Sequence, residues 1–145
     1  MSKFPIEKLK DLKHELRTLG LFVPDRFWGM TDVELSEKGG GCGPGKAGDK
    51  LVPDTFYGLS MTPACFLHDV AYGQGQTWQD KFKADVSLMV NCTIIIFNHY
   101  KAGPQGWRHK AVAVARCYRA MTYFNAVAFG GGGAFKKANA RFDAA

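Results

Sequence analysis

The chain reads as all-α. Apolar residues recur at steps of three and four through several long segments, and short turns rich in Gly, Pro or polar residues separate those runs. The one strand candidate is a short hairpin somewhere in 31–60. With 145 residues, 46% hydrophobic and 13% aromatic, the chain forms a single domain over 1–145 that can bury a core without staples.

From the N-terminus, the spacing predicts an amphipathic helix over 5–19. Ile6, Leu9, Leu12, Leu16 and Leu19 fall on one face, with Lys3, Lys8, Lys10, Lys13 and Arg17 interleaved and Gly20 as the stop. Such a helix docks its leucines on the core or inserts them into a membrane surface, and both hold if the docked helix rims an entrance. Residues 21–30 carry too many large apolar groups for an exposed linker, so part of this stretch is buried or meets a partner. A glycine-dense loop over 39–48 follows, able to aim several backbone groups at one point.

A helix over 62–73 is expected next, capped by Thr62 with Pro63 in its first position. After the turn 73–76, Thr77 and Asp80 form a capping box that opens a helix over 77–100. Phe82, Asp85, Met89, Cys92 and Ile96 trace its inward stripe, which buries a carboxylate that needs a partner. A third helix is expected over 107–129, ended by Gly130 to Gly133, and the tail 134–145 is either a last short helix or without regular structure.

The net charge of +6 favours an anionic partner, either a phospholipid surface or nucleic acid. Lys46, Lys50, Lys81, Lys83, Lys136 and Lys137 form the basic set that nucleic acid would use, but no nucleic-acid-binding motif accompanies them. No run approaches the length of a membrane span, and Met1 to Lys13 contains no apolar core of a secretory signal. Cys42, Cys65, Cys92 and Cys117 include no Cys-x-x-Cys pair, against a zinc ribbon or thioredoxin-like motif.

Chemistry concentrates on Cys65-Phe66-Leu67-His68-Asp69-Val70-Ala71-Tyr72. His68 and Tyr72 are one turn apart on one face, whereas Asp69 points about 100° away and faces different neighbours. The helices 62–73 and 77–100 run antiparallel across a short turn, so His68 and Asp85 can meet. A carboxylate that accepts from one imidazole nitrogen leaves the other as a base. Their pairing is expected to raise the His68 pKa above its reference of about 6.5. A satisfied core histidine is the plain alternative. Asp69 together with carbonyls of the glycine loop is a donor set that suits calcium.

These residues resemble the secreted phospholipase A2 superfamily over roughly 39–97. The family's calcium loop, Cys-Gly-x-Gly, reads here as Cys42-Gly43-Pro44-Gly45; its Cys-x-x-His-Asp-x-x-Tyr helix reads as Cys65 to Tyr72; and the aspartate of its next helix is Asp85. Ala64 and Thr62 stand where the family often has a cysteine and an aspartate, and the compact spacing from His68 to Asp85 looks like bacterial, fungal or viral members. The resemblance implies a phospholipase A2-like bundle and calcium-dependent hydrolysis of the sn-2 ester of glycerophospholipids at a membrane surface, anionic by the chain's own charge. His68 would be the base, with Asp85 and Tyr72 as its hydrogen-bond partners. Calcium would sit on the carbonyls of Gly41, Gly43 and Gly45 and the carboxylate of Asp69, with the Gly43 N–H as oxyanion donor. Phe4, Leu9, Phe22, Phe66 and Phe82 are candidates to receive an acyl chain.

The resemblance also implies a Cys42–Cys65 disulfide. Counting outward from Pro104 sets Cys92 and Cys117 at similar heights on facing helices, so they can pair if both face inward; four free thiols is the alternative. Two other functions fit the same residues. One is a calcium- or membrane-binding module of this fold with weak or no turnover. The other is an enzyme that uses Cys65 as nucleophile with His68 as base.

Overall fold

The computed structural model describes residues 4–40 and 55–143. They are mostly helical, as expected. After a 3-10 turn at Ile6–Lys8, α1 (Leu9–Leu19) buries Leu9, Leu12 and Leu16 and keeps its lysines outside. Gly20 ends it at φ 67°, a left-handed conformation that costs a residue without Cβ little. The next stretch is partly buried: Leu21 and Phe27 join the core, while Phe22 and Trp28 stay exposed.

Residues 32–38 are helical, where the sequence suggested at most a hairpin. α2 (Asp32–Lys38) opens on a capping box in which Thr31 Oγ1 accepts from Glu34 N and Glu34 Oε2 accepts from Thr31 N at 2.8 Å. That signature was present as Thr31-x-x-Glu34. The expected hairpin lies later, with β1 (Thr55–Phe56) paired antiparallel to β2 (Leu59–Ser60). Tyr57 and Gly58, both at positive φ, form its turn. Buried Arg116 secures it by donating from Nε to Phe56 O at 3.0 Å and from Nη2 to Tyr57 O at 2.7 Å.

α3 (Thr62–Gln74) begins at its predicted cap, so that the cap itself lies one residue earlier. Met61 occupies the cap without a side-chain bond, and Ser60 Oγ accepts from Thr62 N at 3.2 Å, so Thr62 belongs to the first turn. The helix also runs through Gly73 and Gln74, leaving the turn to begin at Gly75. α4 (Trp78–Ala102) starts on the predicted Thr77–Asp80 capping box, and α5 (Trp107–Gly130) follows. The tail is helical, as α6 (Gly132–Asp143). α4 packs along both α3 and α5, while α6 returns onto α3.

The inward face of α4 differs from the predicted stripe at one end. Lys81, Ala84, Asp85, Leu88, Cys92 and Ile96 are buried, whereas Phe82 is 60% exposed. The inner line starts one position earlier because the Lys81 ammonium finds acceptors inside. Among the described residues no helix is long and apolar enough to cross a membrane.

Cys92 and Cys117 are free thiols, so the bridge expected between them is not formed. Counting along two helices aligns height but not rotation. Cys92 is turned fully into the core, where burial pushes its thiol up to about 12, and Cys117 lies only half-buried. Cys65 is disulfide-bonded; its expected partner Cys42 lies outside the described residues.

Candidate active site

α3 and α4 bring together the residues that the sequence set 17 positions apart. His68 Nε2 lies 2.8 Å from Asp85 Oδ1, and the Tyr72 hydroxyl donates to the same oxygen at 2.6 Å. The His68 and Tyr72 rings, one helical turn apart, have centroids 4.0 Å apart. The other carboxylate oxygen, Asp85 Oδ2, accepts from Lys81 Nζ at 2.6 Å. Asp85 is fully buried, and each oxygen is engaged.

Local sequence explains the arrangement. Lys81 and Asp85 are four apart on α4, a spacing that stacks side chains on one helical face. Lys81 also donates to Val127 O at 2.8 Å and Ala128 O at 3.3 Å, carbonyls near the C-terminal end of α5. Behind Tyr72 the wall is closed by α6, whose buried Phe135 meets the tyrosine ring edge-on at 5.3 Å.

The protonation states follow from these contacts. Burial opposes ionisation of Asp85, but hydrogen bonds from His68, Lys81 and Tyr72 outweigh it and hold the carboxyl below the ordinary range. An ionised Asp85 accepts the Nε2 proton, so the neutral imidazole keeps its lone pair on Nδ1. Burial pushes the His68 pKa below its usual value, more than the Asp85 hydrogen bond raises it, and the Lys81 charge adds to the lowering. The expected upward shift is therefore reversed, because desolvation of the ring outweighs its pairing with Asp85. Tyr72 is pushed far up by burial, then by its bond to Asp85, and remains a hydroxyl donor.

His68 lines an open cleft of about 560 Å³, between the stretch 22–30 on one side and α3 and α4 on the other. Leu67, Ala71 and Leu88 give the cleft an apolar floor, and Phe22 stands at its side. Buried Asn91 anchors that wall, accepting from Phe22 N at 2.8 Å and donating to Phe22 O at 2.9 Å. Of the five acyl-chain candidates only Phe22 lines the cleft. Leu9 and Phe66 belong to the core, Phe4 packs on Phe66 at 4.8 Å, and Phe82 faces outward beside Phe124.

No family model, no curated protein and no solved structure matches the chain.

Asp69 sits half-buried on α3, off the cleft face, with its Oδ2 enclosed by protein. The other predicted calcium ligands, Gly41, Gly43 and Gly45, lie outside the described residues, as does the predicted oxyanion donor on Gly43. Gly39, at the entry to that loop, is described: a Cβ there would lie 1.9 Å from the Phe66 ring, so only glycine fits. Among the described residues no three His, Cys, Asp or Glu side chains cluster as a metal site, and a cation at Asp69 would need carbonyl co-ligands.

The Cys65 nucleophile is excluded here, since that sulfur is committed to a disulfide and 3% exposed. Lys81, counted by sequence among surface cations, is 4% exposed and belongs to the site. Its i,i+4 relation to an inward aspartate was the signal available. Asn91 was also missed, and no local pattern marks it.

Proposed function

We propose that this protein is a calcium-dependent phospholipase A2 that hydrolyses the sn-2 ester of glycerophospholipids to a fatty acid and a lysophospholipid. The contact that carries the reading is His68 Nε2 to Asp85 Oδ1, made where His68 meets an open cleft. A core histidine satisfied by a buried aspartate needs no such access, and a general base does.

His68 takes a proton from a water in the cleft through Nδ1, and the water oxygen attacks the ester carbonyl. When the tetrahedral adduct collapses, the same proton passes from His68 to the departing lysophospholipid oxygen. Asp85 stabilises the transient imidazolium and holds the ring, while Tyr72 and Lys81 hold Asp85. Leu67, Leu88 and Phe22 offer the apolar surface that an acyl chain would cover. Asp69 is a hard, half-buried carboxylate that fits calcium, with the carbonyls of Gly41, Gly43 and Gly45 as the predicted co-ligands. When bound, calcium supplies positive charge for the oxyanion.

An anionic lipid surface suits the exterior. Trp78 and Phe82 stand exposed on α4 beside Lys83, which also lines the cleft. Fatty-acid release from mixed anionic phospholipid vesicles, with calcium and then with chelator, tests the proposal. Calcium-dependent release supports it, and vesicle binding with no release at any pH would leave a binding module instead.

A further inference from the structure

Lys81 is the cation on which the dyad rests. An ammonium has three N–H donors, and Lys81 directs them to three acceptors: Asp85 Oδ2, Val127 O and Ala128 O. The two carbonyls belong to the last turn of α5, where the helix dipole is negative; Val127 O also accepts from the capping Gly131 N at 2.8 Å and has a second lone pair for the ammonium. The ammonium is therefore held from α5 while it holds Asp85. Both donors on Asp85 Oδ1, from His68 and Tyr72, come from α3. Among the described residues Lys81 alone grips Oδ2, and two gripped oxygens fix the plane of a carboxylate that one gripped oxygen leaves free to turn.

We propose that Lys81 is a positioning residue for the His68 base: anchored by the end of α5, it fixes the Asp85 carboxylate so that Oδ1 meets His68 Nε2. This rests on the reading of His68 as a base. It makes the α5 terminus part of the site although no α5 residue lines the cleft. A lysine that only joined α4 to α5 would stabilise the fold and leave the imidazole unaffected.

The full-length protein carrying Lys81→Met or Lys81→Gln separates these roles, each variant made alone and together with Asp85→Asn. The His68 tautomer is read by long-range proton–nitrogen NMR at a single fixed pH. Turnover is read as fatty-acid release from anionic vesicles. In Lys81→Met the Nε2–H tautomer is expected to lose its dominance, and kcat to fall about 10–100-fold at nearly unchanged KM. In the Asp85→Asn background Lys81→Met should cost nothing further, because its route to His68 is already cut. Lys81→Gln, which keeps a donor, should retain more of the native tautomer, and it carries the same test if Lys81→Met loses its helical circular dichroism. An unchanged tautomer, or equal loss of kcat in both backgrounds, overturns the proposal. If the unmodified protein releases no fatty acid, the phospholipase reading falls, while the tautomer still decides whether Lys81 positions His68.

Discussion

A methyl group on Gly131 would lie 2.7 Å from the Tyr72 hydroxyl and 2.4 Å from the Val127 carbonyl oxygen. The link between α5 and α6 thus presses its backbone against the donor that holds Asp85. The glycines after α5 do more than end a helix. Gly131 at φ −80° is chosen for space and not for an unusual dihedral. Gly131→Ala is expected to destabilise the protein by about 1–3 kcal/mol, as overpacking in a core does, and urea unfolding measures it. Gly133→Ala is the control, since nothing lies within 4 Å of a Cβ there.

His68→Gln is expected to leave a folded protein whose ester hydrolysis falls by about 10²–10⁴-fold, the usual contribution of a general base. Near-native turnover in that variant, with an unchanged circular dichroism spectrum, would remove His68 from the mechanism.

The pH dependence follows from desolvation. Because burial lowers the folded pKa of His68, the imidazole stays neutral below the reference of about 6.5, and the acid limb of kcat should have its midpoint below that value. Stability moves in the matching direction. Below about 6.5 the unfolded histidine binds a proton that the folded one refuses, so stability falls with pH from there until the folded pKa is passed. Asp85, lowered when folded, contributes stability above its unfolded pKa and loses it as pH falls through the folded value. Urea midpoints for the unmodified protein and for His68→Gln between pH 7 and 5 test the first effect. The variant should show the shallower fall.

Asp69→Asn is expected to lose calcium affinity and hydrolysis together while Tyr72, His68 and Asp85 keep their contacts. Calorimetric titration with calcium and vesicle assays read the two losses. Full turnover of the unmodified protein in excess chelator would dismiss the calcium role.

The thiols should differ in native alkylation. Cys117, half-buried, is expected to react before Cys92, which is 2% exposed and whose thiolate is suppressed by burial. Reduction of the disulfide at Cys65 should cost roughly 2–4 kcal/mol. Mass mapping of timed alkylation and melting with and without reductant provide the two readings.

Much of the site was legible because it depends on local rules. Helical periodicity, the Thr77–Asp80 capping box and the one-turn spacing of His68 and Tyr72 act within a few residues, and a short turn between two long helices sets His68 opposite Asp85. The same rules contained α2, since Thr31 and Glu34 make an equally good capping box that a glycine-rich neighbourhood obscured. What tertiary structure alone decided is what depends on rotation and burial. The sequence could bring Cys92 and Cys117 to one height but not turn them to face each other, and it could pair His68 with Asp85 but not say that desolvation outweighs that pairing in the imidazole. Lys81 shows the difference most directly. Sequence makes it one lysine among many on a basic chain, and it becomes the buried support of Asp85 only because α5 ends where its carbonyls can receive an ammonium.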